Sequence, residues 1–230
     1  GLKKRGVGLS PRLDGLVYGD DPRQGFFRGA EFLHPELRFR LTFPTGWQTA
    51  NQRQAVLAAS PQQDAMMQLT LAQATSAEAA ARAFASGEGV RTGSLTRTSI
   101  NGLQAVTLSF MATSQNGQTL EGGAAFIEHE GSVFQVLGYA AGGRWGTHGD
   151  DVLRAVRSFR ELDDPAVLRA EPWRIELVRL DRAMTVEEFT RRYPGPVDAE
   201  RVALINGVEP GTRFEAGRLV KRVVGEALTS

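Results

Sequence analysis

The chain has 230 residues, a length that allows one or two domains at the usual size of about 100 to 200 residues each. Hydrophobic residues (41%) and charged residues (23%) are near globular averages, which excludes a disordered or fibrous protein. A net charge of +1 gives no general attraction to nucleic acid, and the lack of cysteine excludes disulfides, thiolate metal sites and cysteine nucleophiles. No run approaches the roughly 20 apolar residues of a transmembrane helix, so we expect no membrane span.

Residues 1–29 are rich in glycine, arginine and proline and show neither strand nor helix periodicity. This composition predicts a linker or an arm that leads from an upstream domain. The chain does not begin with methionine, and residues 1–6 lack the apolar core of a secretory signal, so we expect it to be part of a longer protein.

Three strand patterns follow the arm. The first, at 37–43, alternates apolar and polar residues and ends in the turn Pro44-Thr45-Gly46. The second lies at 55–59. The third lies at 66–73, and its predicted inward face consists of Met67, Leu69 and Leu71.

A helix is predicted after the third strand. Ser76 is a good N-cap, Glu78 complements the helix dipole, and the alanine-rich run reaches Ala85 before Gly87 stops it.

Three turn signals then predict an antiparallel meander of four strands. These signals are Asn101-Gly102, Asn116-Gly117 and Glu130-Gly131.

A second helix is predicted over 143–162. Thr147 is the expected cap, and Asp150 and Asp151 are expected in its first turn. Its predicted buried stripe consists of Val152, Val156 and Phe159. These elements predict a sheet with helices packed on it.

The run Asp163-Asp164-Pro165 is the expected domain boundary. The elements predicted beyond it are a strand at 175–178, a helix with the capping box Thr185-Val186-Glu187-Glu188, a helix that Asp198 caps and Asn206-Gly207 ends, and a strand at 219–224. The predicted fold class is therefore α+β: an antiparallel sheet with packed helices at 30–164, followed by a small βααβ domain at 165–230.

Imidazole chemistry is limited to His34, His129 and His148. The triplet at 128–130 resembles the start of an H-E-x-x-H zinc helix, but Val133 stands where the second histidine belongs, so a polar hairpin tip is predicted there. His34 precedes Pro35, and we expect it to pack or to form a hydrogen bond. No metal or cofactor site is predicted in this chain.

No nucleophile or phosphate loop is visible. The chain lacks a G-x-S-x-G elbow, and its paired glycines lack the Walker lysine; Gly122-Gly123 is interpreted as a bulge and Gly142-Gly143 as a loop. Adjacent acids at helix starts are explained by the helix dipole. The chain is therefore predicted not to be an enzyme by itself, and a hydrolase that uses His129 or His148 is the minor alternative.

Arginine and tryptophan offer possible contact surfaces. Arg191-Arg192 beside Tyr193 is interpreted as a solvated helix face. Trp47 is expected to anchor the core, while Trp145 is compatible with either a core position or the lining of a groove.

The motif at 32–47 resembles a known family. Together with Asn51 and Ala55-Val56, it follows the pattern FxHPxLxFxxxFPxGW…N…AV, which resembles the region after the catalytic domain in bacterial zinc metallopeptidases related to HtpX, BepA and the CAAX prenyl protease. The resemblance implies a Mog1/PsbP-like sandwich over about 37–162. It also implies that zinc belongs to an upstream catalytic domain and not to this chain.

Residues 174–224 resemble a divergent LysM module. Thr185-Val186 stand at the start of its first helix, and the matches at the second helix end and the last strand are Leu204-Ile205-Asn206 and Gly217-Arg218-Leu219. Ala183 and Met184 replace the Gly-Asp that helps to form the N-acetylglucosamine groove in LysM modules.

The sequence thus predicts the non-catalytic C-terminal region of a periplasmic or otherwise extracytoplasmic zinc metallopeptidase. Its expected partners are a protein substrate or the upstream catalytic domain, with docking to peptidoglycan as a further expectation. A free-standing periplasmic protein-binding or envelope-assembly module is the alternative. The candidate binding surfaces are formed by Trp145 with Gly142 and Gly143, and by Met184, Thr185 and Asn206.

Overall fold

The structure is a computed structural model that describes residues 13–226, and it divides into two compact units. The larger unit is Gln24–Leu168, and the smaller unit combines the described residues up to Arg23 with those from Arg169 onward. β1 (Val17–Tyr18) belongs to the smaller unit, and a single 3-10 turn (Pro22–Gln24) follows it.

The arm expected at 1–29 differs from the structure in its described part. β1 is paired within the smaller unit, and Phe26–Arg28 is a strand of the larger unit. Both strands have only two or three residues, which is too short to show an alternating pattern, and the partner of β1 lies far away along the chain. Residues 1–12 of the expected arm lie outside the described residues.

The larger unit contains two antiparallel sheets and three helices. Its strands are β2 (Phe26–Arg28), β3 (Glu31–His34), β4 (Phe39–Thr42), β5 (Gln48–Asn51), β6 (Val56–Ala59), β7 (Ala65–Ala72), β8 (Val90–Thr92), β9 (Thr96–Ile100), β10 (Leu103–Thr113), β11 (Thr119–His129), β12 (Ser132–Ala141) and β13 (Arg160–Glu161). Its helices are α1 (Ala77–Ala85), α2 (Trp145–Arg157) and α3 (Pro165–Leu168).

The large sheet has the strand order β5-β6-β7-β12-β11-β10-β8, and β9 also pairs with β10. All three predicted hairpins are present, so the meander β9-β10-β11-β12 is confirmed. The small sheet has the order β13-β4-β3-β2. The prediction of antiparallel sheets with packed helices is confirmed for the larger unit.

The main core lies between one face of the large sheet, the small sheet and α2. Phe39 is central to it: its ring is stacked on Phe159 at 5.2 Å and lies 4.7 Å from the ring of Phe134. On the inward face predicted for β7, Met67 and Leu69 are buried, but Leu71 is 51% exposed, so its predicted burial is wrong. Leu71 is the last residue but one of β7.

The opposite face of the large sheet is covered by α1 over β8, β10, β11 and β12. Ser76 caps α1 as predicted, since its hydroxyl accepts a hydrogen bond from the Ala79 backbone N–H. A second acceptor comes from the sheet: Glu128 Oε1 accepts from Ala77 N at 2.9 Å. The helix start is thus held at two backbone donors.

α2 (Trp145–Arg157) lies within the predicted range 143–162, but its cap differs from the predicted one. Arg144 is its N-cap residue and makes no side-chain cap, so the predicted capping role of Thr147 is wrong. Asp150 and Asp151 consequently lie beyond the first turn. Val152 and Val156 are buried as predicted, and the helix ends at Arg157, after which the chain forms β13.

Two further differences concern local geometry. Gly122 and Gly123 pair regularly with β10 and β12, so the predicted bulge is wrong. A Cβ atom on Gly122 would lie 2.2 Å from the carbonyl oxygen of Gly138, which explains the glycine. The larger unit also extends past the boundary predicted at Asp163–Pro165, because Val167 packs with Leu33 and Leu162.

The smaller unit contains the predicted strand, helix, helix, strand order. Its strands besides β1 are β14 (Trp173–Arg179), β15 (Met184–Thr185), β16 (Arg213–Phe214) and β17 (Leu219–Val224), and its helices are α4 (Val186–Arg192) and α5 (Ala199–Ile205). β14 is the centre of the sheet β1-β14-β17, while β15 pairs with β16. The capping box at Thr185 and the Asp198 cap are confirmed.

Among residues 13–226, none of the helices has the length and hydropathy that a membrane span requires.

Candidate binding surfaces

Trp145, Gly142 and Gly143 lie together where β12 leads into α2. Both glycines are exposed and have positive φ angles of 51° and 78°, so the loop prediction is confirmed. The indole of Trp145 is half-buried at the edge of the main core, over Gly149 of its own helix and Gly123 of β11. A Cβ atom on Gly149 would lie 3.0 Å from the ring, so the glycine at this position allows the close approach. Trp145 is therefore a core-edge residue beside an exposed loop.

Asp64 connects this loop to the turn between β6 and β7. Its carboxylate accepts hydrogen bonds from Ser60 Oγ at 2.7 Å and from Arg144 Nε at 3.0 Å. His148 Nε2 lies 2.9 Å from Asp64 Oδ1, although the angle of this contact departs from that of an aligned hydrogen bond. The hydrogen bond from Ser60, followed by the contacts of His148 and Arg144, holds the pKa of the Asp64 carboxyl well below its ordinary value.

Serine, aspartate and histidine meet here, but their order does not suit nucleophilic catalysis. A catalytic triad places the histidine between the serine and the acid. In this structure Asp64 is central, and the hydroxyl proton of buried Ser60 is donated to the carboxylate. The same hydroxyl accepts the backbone N–H groups of Asp64 and Ala65. The cluster therefore positions the start of α2 and does not activate the serine.

The other two histidines are buried and have structural partners. His34 Nδ1 accepts the Leu37 backbone N–H at 3.0 Å, which agrees with the predicted packing or hydrogen-bonding role. His129 Nε2 lies 2.8 Å from the carbonyl oxygen of Arg38, and its ring is 95% buried next to Phe134. The predicted polar hairpin tip at 128–130 is thus wrong for His129, because the last position of β11 faces the core.

Within residues 13–226, no three histidine, aspartate or glutamate side chains form a group that could hold a metal ion. Trp47 packs at the edge of the main core, as predicted, and its ring meets His148 edge-on at 5.8 Å.

The second predicted surface involved Met184, Thr185 and Asn206. Met184 is 99% buried, and the Thr185 hydroxyl caps α4 by accepting the Glu188 N–H. The Asn206 side chain joins α5 to β17, since it donates to the Val202 and Lys221 carbonyls and accepts the Lys221 N–H. These side chains have internal roles, so they do not line an open groove.

An arginine-rich cleft lies next to these residues in the smaller unit. Its volume is about 520 Å³, and it is lined by Arg182, Ala183, Glu188, Arg191, Arg192 and Arg213. We call it the arginine cleft. Only Arg191 and Arg192 stand together in the sequence, because the other arginines of the cleft come from a loop and from β16.

The large sheet presents a second open surface, on the face that α1 leaves uncovered near β5, β6 and β7. Its side chains alternate with those of the main core, and none is charged. They are Gln48, Ala50, Leu57, Ala59, Met66 and Gln68, with Tyr139 at the border towards α1. We call this set the open sheet face. At its border, the Tyr139 hydroxyl accepts from Gln68 Nε2 at 3.1 Å and contacts Met66 Sδ.

No protein-family model matches the sequence, and no curated protein matches it. Among solved structures, the chain is similar to PsbP from the cyanobacterium Synechocystis sp. PCC 6803, with 14% identity, coverage of 59% of this chain and 94% of that chain, and a TM-score of 0.46. It is also similar to LpqN of Mycobacterium tuberculosis, described as involved in cell envelope biogenesis. The identity is 14%, the coverage is 54% of this chain and 83% of that chain, and the TM-score is 0.42. A third similar structure is the Ran-binding protein Mog1p of Saccharomyces cerevisiae, with 12% identity, coverage of 60% of this chain and 97% of that chain, and a TM-score of 0.42.

These similarities concern the fold alone. The fold is mixed α/β with antiparallel sheets and few helices. The Mog1/PsbP-like sandwich that the motif at 32–47 implies, the metallopeptidase parent and the LysM character of the smaller unit remain predictions.

Proposed function

We propose that this chain is a non-catalytic protein-binding module of the bacterial cell envelope. More specifically, we propose that it is the accessory C-terminal region of an extracytoplasmic zinc metallopeptidase, which positions a protein substrate or partner. In this proposal the smaller unit is a LysM-like module that docks to peptidoglycan. The observation that carries the protein-binding role is the open sheet face.

The composition of the open sheet face suits a polypeptide partner. Charged residues make up 23% of the chain, yet none of the seven side chains of this face is charged. Depletion of charge, with methionine and tyrosine present, distinguishes the centre of protein interfaces from the rest of a protein surface. Leu57 and Met66 supply the apolar contact, while Gln68 and Tyr139 supply hydrogen-bonding groups.

The neighbouring strand edge adds a reason to expect an extended polypeptide. β5 is the last strand on this side of the large sheet, and the described residues provide no further strand beyond it. An edge strand offers free backbone N–H and C=O groups to which another chain adds as a strand. The bound segment then places alternate side chains on the open sheet face.

The motif residues at 32–47 have structural roles in the larger unit and do not form a separate binding site. Phe32, Phe39 and Phe43 are buried in the main core, and His34 accepts a backbone hydrogen bond. Asn51, the next motif residue, donates to the Gly25 carbonyl at 3.0 Å. These internal roles are compatible with a domain that follows a peptidase domain.

Binding is tested with an unfolded polypeptide, β-casein, added to the isotope-labelled chain. We expect NMR shifts in the amides of β5, β6 and β7, and we expect Met66→Glu to abolish them. The matched control is Met111→Glu, because Met111 is exposed on β10, away from the open sheet face. Shifts that are absent, or equal in both variants, would overturn the protein-binding role.

The peptidase link is tested by sequencing the source gene upstream of the codon for Gly1. An in-frame H-E-x-x-H within a helical domain is the expected result. An upstream start codon and signal peptide with no peptidase domain would leave the free-standing envelope module instead.

A further inference from the structure

Three different elements bring positive charge to the arginine cleft. Arg182 lies in the loop after β14, Arg191 lies in the last turn of α4, and Arg213 lies in β16. All three side chains are exposed, and within the described residues none forms an ion pair. Arg213 faces outward because its neighbour Phe214 is directed into the core.

The acids around the cleft are already engaged. Asp181 forms a bidentate pair with Arg192, at 2.7 and 2.9 Å. Glu188 accepts the Thr185 backbone N–H, and Glu187 accepts the Gly211 backbone N–H. None of these three carboxylates forms an ion pair with Arg182, Arg191 or Arg213.

The engaged pair also shapes one wall of the cleft. Arg192 is held by Asp181 on one side and stacks over the Tyr193 ring at 5.2 Å. Its hydrogen bonds lower the pKa of Asp181 to about 2, so the pair persists through the neutral range. The residues that line the cleft include four arginines and a single acid, Glu188, so its lining is predominantly positive.

We propose that the arginine cleft is a binding site for a divalent oxyanion, either a phosphate group or a pair of carboxylates. Guanidinium groups bind both kinds of oxyanion through paired N–H donors, and they do so better than ammonium groups. A doubly charged oxyanion offers acceptors to more than one of the three arginines without an ion pair, and a cleft of about 520 Å³ accommodates the group together with part of the molecule that carries it. The site is independent of the open sheet face, so either proposal can fail alone.

The test is an NMR titration of the whole chain at low ionic strength, with inorganic phosphate in one series and succinate in another. We expect saturable shifts in the amides of Arg182, Arg191 and Arg213. Arg191→Gln and Arg213→Gln are each expected to weaken binding about tenfold, the effect of losing one charged hydrogen bond. The matched control is Arg201→Gln, which removes one exposed arginine from α5, outside the cleft, and is expected to change affinity less than twofold.

The two series identify the source of the charge, since tighter binding of phosphate indicates a phosphorylated ligand and tighter binding of succinate a polycarboxylate. Failure of both anions to saturate would overturn the proposal, as would equal weakening by Arg201→Gln and Arg191→Gln. A neutral N-acetylglucosamine oligomer provides a further comparison. Its binding, unchanged by Arg191→Gln and without any anion binding, would assign this surface to uncharged glycan and overturn the proposal.

Discussion

Gly138 of β12 lies directly under Val152 of α2. A Cβ atom on Gly138 would be 2.1 Å from Val152 Cγ1, a separation that real Cβ atoms do not reach, and 3.2 Å from Val152 Cβ. Gly138→Ala therefore forces α2 away from the sheet. We expect a loss of about 1 to 3 kcal/mol in the free energy of unfolding, as is typical of overpacked cores, measured by urea denaturation.

The matched control is Gly146→Ala in the same helix. Gly146 is exposed, and a Cβ atom there would meet nothing within 4 Å. We expect this variant to gain up to about 1 kcal/mol, because alanine favours the helix. Equal stabilities of the two variants would contradict the close approach of Gly138 and Val152.

Helix capping in the larger unit provides the second prediction. Ser76 caps α1 through its hydroxyl, whereas Thr147 lies inside α2 and caps nothing. Ser76→Ala is expected to lower the free energy of unfolding by about 1 kcal/mol, and Thr147→Ala is expected to change it by less than about 0.5 kcal/mol. Denaturant unfolding of both variants checks this, and a reversed order would place the start of α2 at the later position.

The third prediction concerns acid stability. Burial lowers the pKa of His34 below its ordinary value of 6.5, an effect that nearby Glu36 partly opposes. Below pH 6.5 the unfolded chain therefore binds a proton at this histidine before the folded chain does. Its contribution to stability is complete above pH 6.5 and is lost as the pH falls towards the folded-state pKa.

His34→Asn removes this titration. We expect the urea midpoint of the unsubstituted protein to fall more steeply between pH 7 and pH 5 than the midpoint of the variant. Parallel curves would show that protonation of His34 does not limit stability, despite its hydrogen bond to the Leu37 N–H.

The fourth prediction concerns Asp64. Because the hydrogen bond from Ser60 is the largest cause of its lowered pKa, Ser60→Ala should raise the carboxyl pKa more than Arg144→Gln does. Titration of the Asp64 carboxyl carbon by NMR measures both changes. Arg154→Gln removes an arginine further along α2, where it pairs with Asp151, and should leave the Asp64 titration unchanged.

The local part of the fold could be predicted from the sequence. Asn101-Gly102 and the Thr185 capping box act through residues two or three positions apart, so their geometry is encoded in short segments. The buried alternation around Phe39 and Leu41 likewise follows from strand periodicity. These features needed no knowledge of distant partners.

The features that escaped prediction depend on distant residues. The burial of His129 depends on Arg38, which is 91 positions away. Arg213 joins Arg182 in one cleft only because β15 and β16 pair. These residues are polar, and their local sequence patterns do not show which distant residues they meet.

β1 makes the two ends of the described chain part of one sheet, with β1 and β17 on either side of β14. The backbone bonds Gly15 N to Ile175 O and Ile175 N to Leu16 O close this connection at 2.7 and 2.8 Å. A pulling force applied at Leu13 and Glu226 would load these strands first. The larger unit lies between β1 and β14 in the sequence, so it would carry no tension until β1 detached from β14. A pulling force along the chain would therefore act first on the smaller unit.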